Sequence, residues 1–241
     1  MSARNLSRLQ ELYYTFADGI ANQDTGSLEK AVVDLNSEVH QTRNNSVLEA
    51  HAKACVYVGR LYLAYDSIKM IRRATPQQRE IIGLLAYQTG RYEEAVQGFN
   101  GVEFRSPASR IAYSLAMYFT GHTIPEVHEA ILEPLLEESA KANTIVGAIY
   151  FNDGDLDNAE KFFAKAVELS PKSEETRLNL MRVQYAQGRD EEVYAEMQEF
   201  YFETRCTLSG KEMEKELEKK QLELPKLRFN GNLYELVNSL L

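Results

Sequence analysis

Six glycines, Gly26, Gly59, Gly90, Gly121, Gly154 and Gly188, punctuate the chain at intervals of 33, 31, 31, 33 and 34 residues. A period of this length means one supersecondary unit copied in series, and it constrains the fold more than any single motif. With 13 glycines in the chain, such an order could arise by chance, so other columns must repeat with it. Five residues after the glycine stand Ala31, Ala64, Ala95, Ala159 and Val193, with Glu126 the exception. Seven residues before it stand Gly19, Ala52, Gly83, Ser114 and Gly147, with Met181 the exception. Pro76, Pro107 and Pro171 follow Gly59, Gly90 and Gly154 by 17 residues, and Leu61, Tyr92 and Leu156 follow the same three by two.

Each period reads as two amphipathic helices folded on one another, which makes the chain all-α. The first helix runs up to the glycine, whose positive φ ends it. The second stops before the proline, which disfavours helix in the residue ahead of it. Small residues in register, Gly83 with Ala95 and Gly147 with Ala159, predict close helix crossings. In the fourth unit Pro125 suits a first helical turn, whereas Pro134 removes a hydrogen bond and predicts a kinked or broken second helix.

This column set resembles the tetratricopeptide repeat, a helix-turn-helix family of period 34 with small, aromatic, Ala, Phe and Pro residues at fixed offsets. The residues that match best are Gly83, Ala95, Phe99 and Pro107, and Gly147, Tyr150, Ala159, Phe163, Ala166 and Pro171. The resemblance implies a right-handed superhelical solenoid over residues 1–207, with about six units near 12–44, 45–75, 76–106, 107–139, 140–173 and 174–207, and a concave groove lined by first helices. Residues 208–241 are expected to form a C-terminal helical cap or docking segment. There, Ser209 to Glu212 reads as a capping box opening a charged helix that runs to Pro225. Leu233, Leu236, Val237 and Leu240 recur at helical spacing in a last helix.

Composition narrows the function. Of 241 residues, 44% are apolar, enough for a sizeable core. A formal charge of −9 without a basic cluster argues against nucleic-acid binding. The first residues lack the apolar run of a secretory signal, and no stretch of eighteen apolar residues predicts membrane insertion. Cys55 and Cys206 suggest neither a disulfide framework nor a CxxC pair, so the expected location is intracellular, cytoplasmic or nuclear, where the Asn44-Asn45-Ser46 sequon is idle. Neither an enzyme signature nor a cofactor fingerprint is present. His40 and His51 fall in different units, His122 and His128 flank the irregular turn of the fourth, and Asp153, Asp155 and Asp157 sit where helix resumes too soon for a calcium loop. We therefore expect no catalysis, no metal and no cofactor.

The resemblance also places the groove, on fixed positions of each first helix. Its twelfth positions here are Val56, Tyr87, Tyr118, Phe151 and Tyr185, and thirteenth positions add Tyr57 and Phe119. These aromatics either grip a partner's peptide or amphipathic helix, or pack between repeats as ordinary consensus residues. Lys53, Lys141 and Arg182 are basic residues at the groove positions, while Glu49 and Glu80 would repel a carboxylate and so argue against a chaperone-tail clamp. The expected function is a noncatalytic scaffold that binds one or more proteins as a subunit of a larger assembly. The stretch from Gly59 to Ile71 resembles an N-terminal unit of tetratricopeptide subunits of the anaphase-promoting ubiquitin ligase. Repeat subunits of signal recognition particle, vesicle coats and intraflagellar transport are also compatible, and a homodimer formed through the groove or end helices is the alternative.

Overall fold

The computed structural model describes residues 11, 14–16, 18–19, 21–22, 24–42, 44–204, 210–224, 227 and 233–240. Among them, the helices are α1 (Thr25–Thr42), α2 (Asn45–Tyr57), α3 (Leu61–Ile68), α4 (Pro76–Gln88), α5 (Tyr92–Phe99) and α6 (Pro107–Phe119). They continue as α7 (Pro125–Leu132), with a 3-10 turn over Glu133–Leu135, α8 (Ala140–Asp153), α9 (Leu156–Leu169), α10 (Glu174–Ala186), α11 (Asp190–Thr204), α12 (Gly210–Leu217) and α13 (Leu233–Leu240). The chain divides into two compact units, residues 1–120 with 227–241, and residues 121–226.

Helix boundaries follow from local chemistry. Thr75 and Gln78 form a reciprocal capping box ahead of Pro76, and the side chains of Asn44, Ser106, Ser139, Asp155 and Ser173 accept backbone N–H groups at the starts of α2, α6, α8, α9 and α10. Each satisfies a donor that has no partner inside the helix. At the other end, Gly59, Gly90, Gly121, Gly154 and Gly188 have φ between 76° and 93°, the left-handed conformation that ends a helix. Gly26 departs from this series. It lies in the first turn of α1, where its N–H donates to Asp24 Oδ1 at 3.0 Å, so it opens a helix and does not close one.

In the first unit, α2 packs on α3, α4 on α5 and α5 on α6, and α4 also touches α6. In the second unit α8 packs on α9, α9 on α10, and α8 touches α10. The first helices α4 and α8 thus meet both their own partner and the next first helix, as serial helix-turn-helix repeats do. Fully buried Phe99 and Phe163 fill these junctions. The close approach behind Gly83 is to Phe99 and Gly98: a Cβ on Gly83 would stand 2.7 Å from the Phe99 ring, and one on Gly98 would stand 2.8 Å from the Gly83 nitrogen. Behind Gly147 the neighbour is Phe163, at 3.1 Å from such a Cβ. Ala95 and Ala159, the partners expected from the repeat, are buried four residues earlier on the same helices.

Two proline effects meet in α7, which starts on Pro125 and stops at Leu132, ahead of Pro134. The C-terminal region differs from expectation. The charged helix predicted to continue to Pro225 ends at Leu217. Met213 and Leu217, one helical turn apart, join a core of Met181, Val193, Met197 and Phe200. The next apolar residues, Leu222 and Leu224, are spaced by two, which a helix would place on different faces. Both are buried with Glu223 exposed between them, the alternation of an extended backbone. It is α12 that packs on α10, whereas α13 buries Leu233, Val237 and Leu240 and packs on α2 and α4 within the first unit. Ser209 of the expected capping box, the side chain of His40, and Cys206 lie outside the described residues.

Candidate peptide-binding faces

The inner face of the second unit is built by α8 and α10. Ser139 starts α8 and Gly154 ends it, which fixes Asn152 in its last turn, beside the buried Phe151. Asn152 Nδ2 donates to the Leu222 carbonyl at 3.0 Å, and Asn152 Oδ1 accepts the Leu222 N–H at 2.8 Å. A carboxamide carries one donor group and one acceptor side by side, so it can satisfy both backbone groups of a single residue without touching its side chain.

Arg182 on α10 is buried. Its Nε donates to the Glu216 carbonyl at 2.8 Å, its Nη2 to Glu216 Oε2 at 2.9 Å, and its Nη1 to Asn179 Oδ1 at 3.1 Å. Burial lowers the Arg182 pKa and the Glu216 charge opposes that shift. An arginine stays cationic through such a change. Lys219 Nζ joins the same carboxylate at 2.6 Å. Beside them lies a cleft of 530 Å³ whose lining includes Leu178, Asn179, Arg182, Glu216 and Leu222. Tyr185 is half-buried, meets Tyr194 edge-on at 6.3 Å, and packs against the Met181 core.

The first unit repeats the device with two side chains. Tyr87 Oη accepts the Leu227 N–H at 3.0 Å, and the neighbouring Gln88 Nε2 donates to the Leu227 carbonyl at 2.9 Å. Burial pushes the Tyr87 phenol up to about 12, while the Leu227 N–H works in the other direction by favouring the phenolate. Tyr57 meets Tyr234 of α13 edge-on at 4.8 Å and Phe16 at 6.3 Å. A cleft of 540 Å³ runs between Tyr57, Gln88 and Tyr234. Tyr87, Tyr92 and Phe119 follow one another at 5.7 and 4.8 Å, and Tyr118 lies edge-on to Phe119 at 6.0 Å. Tyr92, from a second helix, is the link between the first-helix aromatics. Lys53 is half-buried, and desolvation lowers its pKa against the attraction of Glu49.

The two acidic groove positions have other tasks. Glu80 is fully buried and accepts the N–H groups of Ser106 at 3.2 Å and Arg105 at 3.3 Å, so it holds the entry to α6 and offers no charge to a ligand. Glu49 accepts from Gln78 Nε2. The histidines are similarly engaged. His128 is buried with Nε2 at 2.6 Å from the His122 carbonyl, and His51 Nδ1 lies 2.6 Å from Ser67 Oγ. Cys55 Sγ stands 3.4 Å from His51 Nε2, and burial pushes its thiol up to about 12. Among the described residues no group of three or more His, Cys, Asp or Glu side chains could hold a metal, and no helix is long and apolar enough to cross a membrane.

Sequence reasoning passed over Gln88, Asn152, Asn179 and Glu216. A signal existed for the first two: each lies two residues before its phase-marking glycine, at the thirteenth position that was read for aromatics alone.

Residues 150–199 match the sequence profile of the tetratricopeptide repeat. Comparison with curated protein sequences gave no match. Among solved structures, the chain is similar to the C-terminal part of a TPR repeat-containing protein from Cytophaga hutchinsonii, with a TM-score of 0.60, 17% identity and 79% of each chain covered. MamA from Desulfovibrio magneticus RS-1, residues 41 to the end, is similar with a TM-score of 0.59 and 17% identity over 68% of this chain and 97% of that one. YrrB, described as a TPR protein with an unusual peptide-binding site, gives a TM-score of 0.56 at 14% identity over 69% of this chain and 90% of that one. The serial helix pairs, their glycine stops and the matched segment agree: the chain folds as tetratricopeptide repeats, with residues 150–199 carrying the family's sequence pattern.

Proposed function

We propose that the protein is a noncatalytic scaffold whose first helices bind an extended peptide segment of a partner protein, as a subunit of a multiprotein assembly. The observation that carries this reading is the pairing of both backbone groups of one residue by side chains at the ends of first helices: Asn152 with Leu222, and Tyr87 with Gln88 on Leu227. Such contacts take hold of any extended backbone, and flanking pockets then choose the side chains. YrrB, a protein of similar fold, is described as having an unusual peptide-binding site, which supports peptide binding as a use of this fold. Tyr57, Tyr87, Tyr118, Phe119, Phe151, Tyr185, Lys53 and Arg182 are the proposed contributors to these faces, joined by Gln88 and Asn152.

The test is affinity capture from native extract with the wild-type protein and with a Gln88→Ala, Asn152→Ala variant, followed by mass spectrometry. We expect proteins held by the wild type and lost by a variant with unchanged helical content and melting. A capture profile that does not depend on these residues would contradict the reading. Light scattering on the same samples distinguishes a foreign partner from a second copy of the chain.

A further inference from the structure

We propose that residues 218–224 are a displaceable ligand of the second unit's inner face, carried by the chain itself, and that the face's partner in trans is an extended peptide with two leucines in a Leu-x-Leu arrangement. This rests on the protein-binding reading above and adds the class of ligand and its competitor.

The segment before it and the segment itself are held differently. Through Met213 and Leu217, α12 is part of the hydrophobic core, and Glu216 is fastened to Arg182. It is a structural cap. Past Leu217 the helix ends: the Glu218 and Lys219 N–H groups still donate to the Glu214 and Glu216 carbonyls, at 3.1 and 3.4 Å, Lys220 is exposed, and Leu222 is held through its backbone by Asn152. Extended geometry puts residues two apart on one side, and here that side is Leu222 and Leu224, both buried, with Glu223 turned out. The recognition is therefore one carboxamide clamp on the backbone and two buried leucines, a set that a separate peptide can reproduce. The cleft lined by Leu178, Asn179 and Leu222 stays open beside the segment, leaving the face room for an incoming chain.

A segment joined directly to α12 competes as an intramolecular ligand, whose effective concentration on a short tether is in the millimolar range. A peptide in trans must displace it, so its apparent affinity is reduced by the fraction of molecules with the face uncovered. Weakening the tail's own hold removes that handicap without altering the face.

The experiment uses the full chain and a fluorescein-labelled peptide with the sequence of residues 216–227, measured by anisotropy. Leu222→Ser with Leu224→Ser frees the face and leaves α12 intact. We expect this variant to bind the peptide at least about tenfold more tightly than the wild type, the effect of removing an occupant populated above nine-tenths. Adding Asn152→Ala should abolish that gain, and a peptide carrying serine at the positions of Leu222 and Leu224 should bind neither protein. Equal affinity for wild type and variant overturns the proposal while leaving a protein-binding role for other faces. Absence of peptide binding to a variant whose circular dichroism and melting match the wild type also overturns it. Should the double variant melt early, hydrogen exchange on the wild type decides: residues 218–224 must exchange faster than α12, and opening of both segments together would show a fixed part of the fold.

Discussion

Arg182 and Glu216 are bound to each other twice, through the Glu216 carbonyl at 2.8 Å and its carboxylate at 2.9 Å, with the arginine side chain 5% exposed. This relationship fastens α12 to α10 and sets the direction in which the C-terminal chain leaves the cap. Removing the carboxylate strands a buried cation that keeps a carbonyl and Asn179 as partners. We expect Glu216→Ala to lower stability by about 1.5–3 kcal/mol, the range for hydrogen bonds to charged groups. Glu216→Gln, which retains an acceptor, should cost less. Urea unfolding of the two variants checks the order, and equal stability to wild type would show the pair to be dispensable.

A second prediction concerns backbone proximity. Because a Cβ on Gly98 would stand 2.8 Å from the Gly83 nitrogen, the strain falls on main chain that cannot rotate away. Gly98→Ala should destabilise by about 1–3 kcal/mol through overpacking. Gly90→Ala has open space around it and fails for another reason, since φ is +76° there, with a cost of about 1–2 kcal/mol. Thermal unfolding of both variants would separate them further if Phe99→Leu is added: relief at position 98 would implicate the ring, and no relief would implicate the backbone.

A third prediction concerns pH. Burial lowers the His128 pKa below its unfolded value near 6.5, with the His122 carbonyl opposing and the His122 charge assisting. Well above pH 6.5 the imidazole is neutral in both states and contributes no pH dependence. As the pH falls below 6.5 towards the folded value, the unfolded chain takes up a proton that the folded chain refuses, so stability is lost. The slope from this group is at most about 1.4 kcal/mol per pH unit. Between pH 7.5 and 5.5 the wild type should lose stability that His128→Gln, with an amide donor for the same carbonyl, does not lose. Parallel curves for the two proteins would refute the assignment.

The repeat was legible because it is written in residues with narrow conformational meaning. Gly59, Gly90, Gly121, Gly154 and Gly188 adopt the positive φ that their spacing implied, and Pro134 ends α7 as its ring requires. Gly26 was misread because a glycine after Asp24 serves a helix start as readily as a helix end. The tail departs from expectation because the charges of Lys211 to Lys220 favour helix locally, while the backbone of Leu222 is held by a residue seventy positions away, Asn152. Position on a first helix likewise did not separate Glu80, which holds the chain entering α6, from a residue that faces a ligand. Such pairings are tertiary, and a period records only what every copy shares.

Side chains of first helices hold the backbone of Leu222 and Leu227, and amide hydrogen exchange resolved by NMR reads both directly. In the wild type each of these amides should exchange at least about tenfold more slowly than in an unstructured peptide. Asn152→Ala should release Leu222 alone, and Tyr87→Phe should release Leu227 alone. If both amides exchange at the unstructured rate in the wild type, the inner faces do not hold the chain and the proposed mode of peptide binding is contradicted.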